Sequence, residues 1–309
     1  MNQFFWNAYK RLEKEVLQLS ENIHFSDDQL NVYSSRIGDL LVRTVIEVES
    51  LAKVLYFANG GAQPADRDLF FDTDCIQLLE NKWLLSKKTI FVSSPYLYFT
   101  EQANIALKPL HKACKRGSSA SKWQQAYQAV KHDRINNLKK GNVGNLIQAL
   151  GALYILNIYY RDAKFDTVAD KDASDIDWGL GSDLFSVKVS HEVSGASNDK
   201  IYVKKADYDE CIYLVKRTDE TGRVIMKLLQ NVNKQIEEQL VKEVMQSMDA
   251  KHEAGELPND IESQKAIALA LGNEKRSDIM GRVLKKEGPA IYNAMQRLQF
   301  EAVLNKQQF

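Results

Sequence analysis

The stretch NLIQALGALYILNIYY, residues 145–160, decides the fold. It is apolar nearly all the way round a helical projection and carries no charged side chain. A surface helix keeps one polar face, so a helix without one belongs at the centre of a core. No run in the chain approaches 18 apolar residues, so none reads as a membrane span. A buried central helix must be surrounded by partners, and the rest of the sequence supplies them.

Upstream, Phe5, Tyr9, Leu12, Val16 and Leu19 recur at three- and four-residue steps, which predicts an amphipathic helix over 2–23. SDDQ at 26–29 has the form of a capping box and predicts the start of a second helix, over 30–58. Its apolar stripe is Ile37, Leu40, Leu41, Val45, Val48, Leu51, Ala52 and Leu55, and NGG at 59–61 ends it. Short helices are expected at DCIQLLENKWLL (74–85) and EQANIALKPLHKAC (101–114), with a short strand or buried connector at KKTIFVSS (87–94). Ser121 is placed to cap a helix beginning KWQQAYQAVKHDRINNL (122–138).

After residue 162 the composition shifts to Asp, Ser and Gly, with strands expected at 183–193, 200–205 and 211–217. Helix returns at 224–250, and EAGELPND (253–260) breaks it. The expected organisation is therefore mainly α: a helical bundle over 1–162, an acidic β-containing insert over 163–222, and a helical C-terminal region over 223–309.

Lys+Arg and Asp+Glu are both 41, so net charge makes no argument for nucleic acid or membrane. Its distribution does. Between Lys108 and Lys140 stand Lys108, Lys112, Lys115, Arg116, Lys122, Lys131, Arg134, Lys139 and Lys140 against one acid, Asp133. Such a block can track a phosphate backbone, with Trp123 and Tyr127 available to stack on bases. The competing reading is a solvated helix face whose two aromatics pack inward. The three cysteines form no CxxC pair and read as reduced thiols, which fits a cytoplasmic protein. The cluster Asp170, Asp172, Asp175, Asp177 and Asp183 lacks EF-hand spacing, and no metal or cofactor is expected. Walker A, GxGxxG, GxSxG and HExxH motifs are absent.

Within the block, Lys131-His132-Asp133-Arg134 combines a side chain that exchanges protons near neutral pH with two cations able to stabilise phosphoryl charge. On helix 30–58, Arg43 and Glu47 stand four apart in a polar set with Arg36, Asp39, Glu49 and Lys53. That face is expected either to meet the KHDR helix, pairing internally, or to lie exposed.

YSSRIGDLLVRTVIEVESLAKVLYF (33–57), taken with the spaced pattern from Trp123 through His132 to Tyr160, resembles the HEPN superfamily over residues 30–160. The resemblance implies an up-and-down helical bundle that often dimerises, found in bacterial defence and toxin systems. Active members are metal-independent RNases that use an Arg and a His with four to six residues between them. His132 matches that His, while the Arg position falls on Gln125, Ala126 or Tyr127. The resemblance thus implies an RNA-directed defence or stress protein. Its ribonuclease form would use His132 as general acid/base, Lys131 and Arg134 for charge and Tyr127 beside them, with RNA contacts from Lys115, Arg116, Lys122, Trp123, Lys139 and Lys140. The alternative is a catalytically silent module that dimerises or binds an operon-encoded protein. No membrane partner is expected.

Overall fold

The computed structural model describes residues 3–168, 173–191, 205–254 and 273–307. The chain is mainly α. Helix α1 (Phe4–Ser20) and helix α2 (Ser35–Ala58) bury the apolar stripes expected of them. Strand β1 (Phe25–Ser26) lies between them. A π-helical turn (Phe71–Ile76) leads into α3 (Gln77–Trp83), followed by β2 (Ile90–Val92), β3 (Leu97–Tyr98), α4 (Gln102–Ile105) and β4 (Ala106–Leu107). Then come α5 (Lys122–His132), α6 (Arg134–Asn137) and α7 (Val143–Arg161). Strands β5 (Phe165–Val168), β6 (Phe185–Val187), β7 (Val189–His191) and β8 (Tyr213–Arg217) follow, then α8 (Asp219–Glu253), α9 (Asn273–Met295) and β9 (Gln299–Leu304).

By contact the chain divides into two compact units. The first comprises Met1–Thr167, Lys171–Lys216 and Glu301–Phe309, the second Val168–Asp170 and Arg217–Phe300. In the first, α7 is the centre: every residue from Ala149 to Tyr159 is buried. Helices α1, α2 and α5 pack against it, α2 most extensively. Asn142 caps α7 by accepting from the Asn145 N–H at 3.0 Å. Two of the hydroxyls that this burial strands are satisfied in place, Tyr159 donating to the Asn305 carbonyl at 2.8 Å and Tyr154 to the Gly179 carbonyl at 2.8 Å, whereas the buried Asn157 Oδ1 has no hydrogen-bond partner among the described residues.

The strand-bearing segment after residue 162 is woven into this unit. Strand β6 pairs antiparallel with β2, which also pairs with β4. A four-stranded sheet runs in the order β5-β9-β8-β7. Glu301, nearly fully buried in β9, is held by Lys164 and Lys216. In the second unit α8 packs against α9, burying Val232, Ile279 and Val283.

Several expectations are corrected. Helix α2 begins at Ser35, capped by the Ser34 hydroxyl accepting from Ile37 N–H at 3.2 Å, not at SDDQ. Residues 27–29 form a short 3-10 turn, because Asp27 is drawn instead to Thr100 and Asn104. The helix expected over 101–114 is one turn, α4, after which the chain enters β4 to pair with β2. At 59–61 the expectation holds: Gly60 takes φ +91 just past the helix, where a side chain would be strained. Residues 200–204 of an expected strand, with Asp170 and Asp172, lie outside the described residues. Among the described residues no helix is long and apolar enough to cross a membrane.

Candidate functional site

The KHDR stretch is where α5 stops. Gln124 accepts the Ser121 N–H at 3.1 Å and hydroxyl at 2.6 Å, which fixes the start of α5. Eleven residues later the backbone turns extended at Asp133, with φ −148 and ψ 79. Asp133 then starts α6, accepting from the Asn136 N–H at 3.3 Å and its side-chain amide at 2.9 Å. Arg134 reaches across to Asp39 on α2. Close approach makes that possible: a Cβ on Gly141 would lie 2.9 Å from the Gly38 Cα. The polar face of α2 does meet this stretch, through Asp39 and Glu49. Arg43 turns the other way, to Glu15 on α1 at 2.9 and 2.5 Å, so the expected Arg43–Glu47 pair is not formed.

Trp123 is only 2% exposed and its Nε1 donates to the Pro109 carbonyl at 2.8 Å, so it is a core residue and not a stacking platform. Tyr127 is also 2% exposed. Its hydroxyl faces Glu49 at 3.5 Å, and Lys131 Nζ lies 5.3 Å from its ring centre. Lys131, His132 and Arg134 are exposed but do not converge: Lys131 folds back over Tyr127, Arg134 goes to Asp39, and His132 bonds to no side chain among the described residues. Lys115, Lys122, Lys139 and Lys140 are exposed and have no carboxylate partner among the described residues. Arg116 is paired with Asp72 at 3.1 Å and lies 3.6 Å over the Phe70 ring.

Two clefts flank this segment within the first unit. One, of about 890 Å³, lies between α2, the 69–72 segment and α5, with Glu49, Lys53, Phe70, Asp72, Arg116, Tyr127, Gln128 and Lys140 in its lining. The other, of about 710 Å³, is lined by Lys108, Lys112, Lys122 and His111 with Asp27 and Asn104; Lys108 is paired with Glu210 at 2.7 Å. They share Ser118, Ala120 and Gln125, so the 117–121 turn is a ridge between adjoining hollows. No family model matches this chain, nor does any curated protein or solved structure.

The first cleft holds the group that sequence reasoning passed over. Glu49 is half-buried, and burial pushes its carboxyl above the usual value, against the pull of Lys131 and the Tyr127 hydroxyl. Tyr127 is raised in turn by burial and by Glu49. A weakly satisfied carboxylate in an open hollow is a signature of ligand sites. In sequence Glu49 was one of six charged positions on α2; only the folding of 69–72 and 116–121 around it sets it apart. Among the described residues no group of three His, Cys, Asp or Glu is placed to hold a metal.

Proposed function

We propose that the chain is an RNA-directed protein that binds single strands along the two adjoining clefts. The observation that carries this reading is the placement of the basic segment. Lys108, Lys112, Arg116, Lys122 and Lys140 line the hollows, and Lys115, Lys131 and Lys139 stand exposed on the same segment without carboxylate partners among the described residues. In this reading α1, α2, α5 and α7 are a divergent HEPN-type bundle of a bacterial defence or stress system, a view supported by the packing of α2 on α7. Binding, not cleavage, is its single-chain activity, because His132 has no cation aimed at the same point. Nuclease action through His132 would require a second copy to supply one.

Anisotropy of a labelled single-stranded RNA in EDTA tests this. Lys115, Lys122, Lys131, Lys139 and Lys140 together give a salt slope of about −3.5, a roughly 100-fold loss of affinity between about 50 and 200 mM salt. A flat salt dependence, or no binding at low salt, refutes it. RNA cleavage in EDTA that His132→Ala abolishes would replace binding with the nuclease reading.

A further inference from the structure

We propose that the first cleft is a guanine-recognition pocket, with Glu49 receiving the Watson–Crick edge of the base and the surrounding cations its phosphate. The proposal rests on the RNA reading for the source of the guanine, and the experiment separates the two.

A carboxylate offers about four lone-pair sites. The fully buried Glu13 uses its own to accept from Tyr9, Lys10, Ser182 and the N–H groups of Asp183 and Leu184. Glu49 has one hydrogen bond, from the Tyr127 hydroxyl at 3.5 Å, the outer limit of such a contact. No cation lies within ion-pairing distance of it among the described residues, although Lys53 and Lys131 are near enough to be felt. It therefore sits desolvated by its surroundings and open towards a hollow of about 890 Å³, a size that accepts a nucleotide.

The chemistry of the walls selects the ligand. Lys53 and Lys140, with no carboxylate partner among the described residues, make the cleft unfavourable for an amine or metal cation and favourable for phosphate. Asp72 is occupied by Arg116 and by the Thr73 N–H at 2.8 Å, so Glu49 is the acceptor left for the ligand's donors. Phe71 gives an apolar wall to a planar ring, while the Phe70 ring is already covered by the Arg116 guanidinium at 3.6 Å. Among the RNA bases only guanine presents two adjacent donors, N1–H and the 2-amino group, which match the two oxygens of one carboxylate. Cytosine and uracil offer a single donor at that edge. Two such bonds favour the ionised form, so occupation would draw down the carboxyl that burial now holds up.

A guanosine within RNA and a free guanine nucleotide share this chemistry. The full chain is therefore titrated with an oligouridine, the same strand with one central guanosine, the same strand with inosine there, and GMP. Inosine keeps N1–H and lacks only the 2-amino group. Guanosine should bind about tenfold tighter than inosine, the scale of a specific base contact. In Glu49→Gln the guanosine-to-inosine ratio should fall to about one, since an amide treats both alike; a thermal melt checks that this near-isosteric variant folds. The wild-type preference should also fade as pH drops through the Glu49 titration. Equal binding of guanosine and inosine by wild type, or a preference that survives in Glu49→Gln, overturns the pocket while leaving RNA binding intact. GMP binding that needs Glu49, without any RNA binding, overturns the RNA reading and keeps the pocket for a free nucleotide. Failure of both ligands overturns both.

Discussion

Replacing Glu13 with Ala should cost the first unit about 3–5 kcal/mol, roughly two lost hydrogen bonds to a charged acceptor at about 1.5–3 kcal/mol each. Glu13 is completely buried on α1. One of its oxygens accepts from the Tyr9 hydroxyl at 2.7 Å, the Ser182 hydroxyl at 2.5 Å and the N–H groups of Asp183 and Leu184 at 3.0 and 3.2 Å. It thereby fastens to α1 the turn that delivers β6 to β2. Truncation leaves the Asp183 N–H without its acceptor, worth about 1–3 kcal/mol alone. Leu184 and Tyr9 fall back on Ser182, so part of the network survives. Glu13→Gln keeps the accepting oxygen and should lose less, about 1–2 kcal/mol. Lys10→Ala removes the ion pair but leaves the buried carboxylate its two hydroxyl and two N–H donors, so it should cost less than Glu13→Ala, about 1–3 kcal/mol. Urea unfolding followed by tryptophan fluorescence measures the series, since Trp6, Trp83, Trp123 and Trp178 all lie in the first unit. Trp6 is also stacked on Tyr9 at 5.0 Å and reports the site directly. Equal costs for Lys10→Ala and Glu13→Ala would refute the reasoning, since they would make the ion pair, and not the turn, the source of stability.

Other outcomes follow from the same physics. Gly141→Ala should destabilise by about 1–3 kcal/mol through overpacking against the Gly38 backbone, whereas Gly281→Ala in open helix α9 should be stabilising by about 0.5–1 kcal/mol; paired melts compare them. Hydrogen bonds from Thr100, Asn104 and Glu101 hold Asp27 down to about 2 from its ordinary 3.8. Its contribution to stability is therefore full above pH 3.8 and lost as pH falls towards 2, so the stability gap between wild type and Asp27→Asn should close over that window. Burial pushes the Cys75 and Cys211 thiols to about 11 and raises Cys114 as well. A disulfide reagent near neutral pH should therefore label the native chain slowly and all three thiols at once in urea.

The elements legible in the sequence were those whose partners are generic. A run such as 145–160, with no charge anywhere, needs only apolar neighbours, and α1 and α2 needed only somewhere to lay a stripe. What sequence could not fix was the choice between equivalent partners. Ser26 and Ser34 are both good caps, and the outcome turned on Asp27 being claimed by a segment 73 residues away. Arg43 had Glu47 four residues on and took Glu15, because packing α1 against α2 brought the better-aligned carboxylate. A single-turn helix at 102–105 is similar: its continuation lost to the ladder offered by β2.

The site divides along the same line. The charge segregation of 108–140 was visible because it is a property of the chain, and it persists as the lining of two clefts. KHDR drew notice for its residue types, yet Asp133 spends its carboxylate as a helix cap and Arg134 its charge on Asp39. Glu49 had the opposite fate. It differs from Glu47 by two positions on one helix, a rotation of about 200°. That rotation puts Glu49 against Tyr127 at the wall of the large cleft and Glu47 at a small hollow beside Arg11. A carboxylate becomes a candidate for binding through the side of the helix that the rest of the chain encloses, and that is settled by residues 69–72 and 116–121, far from it in sequence.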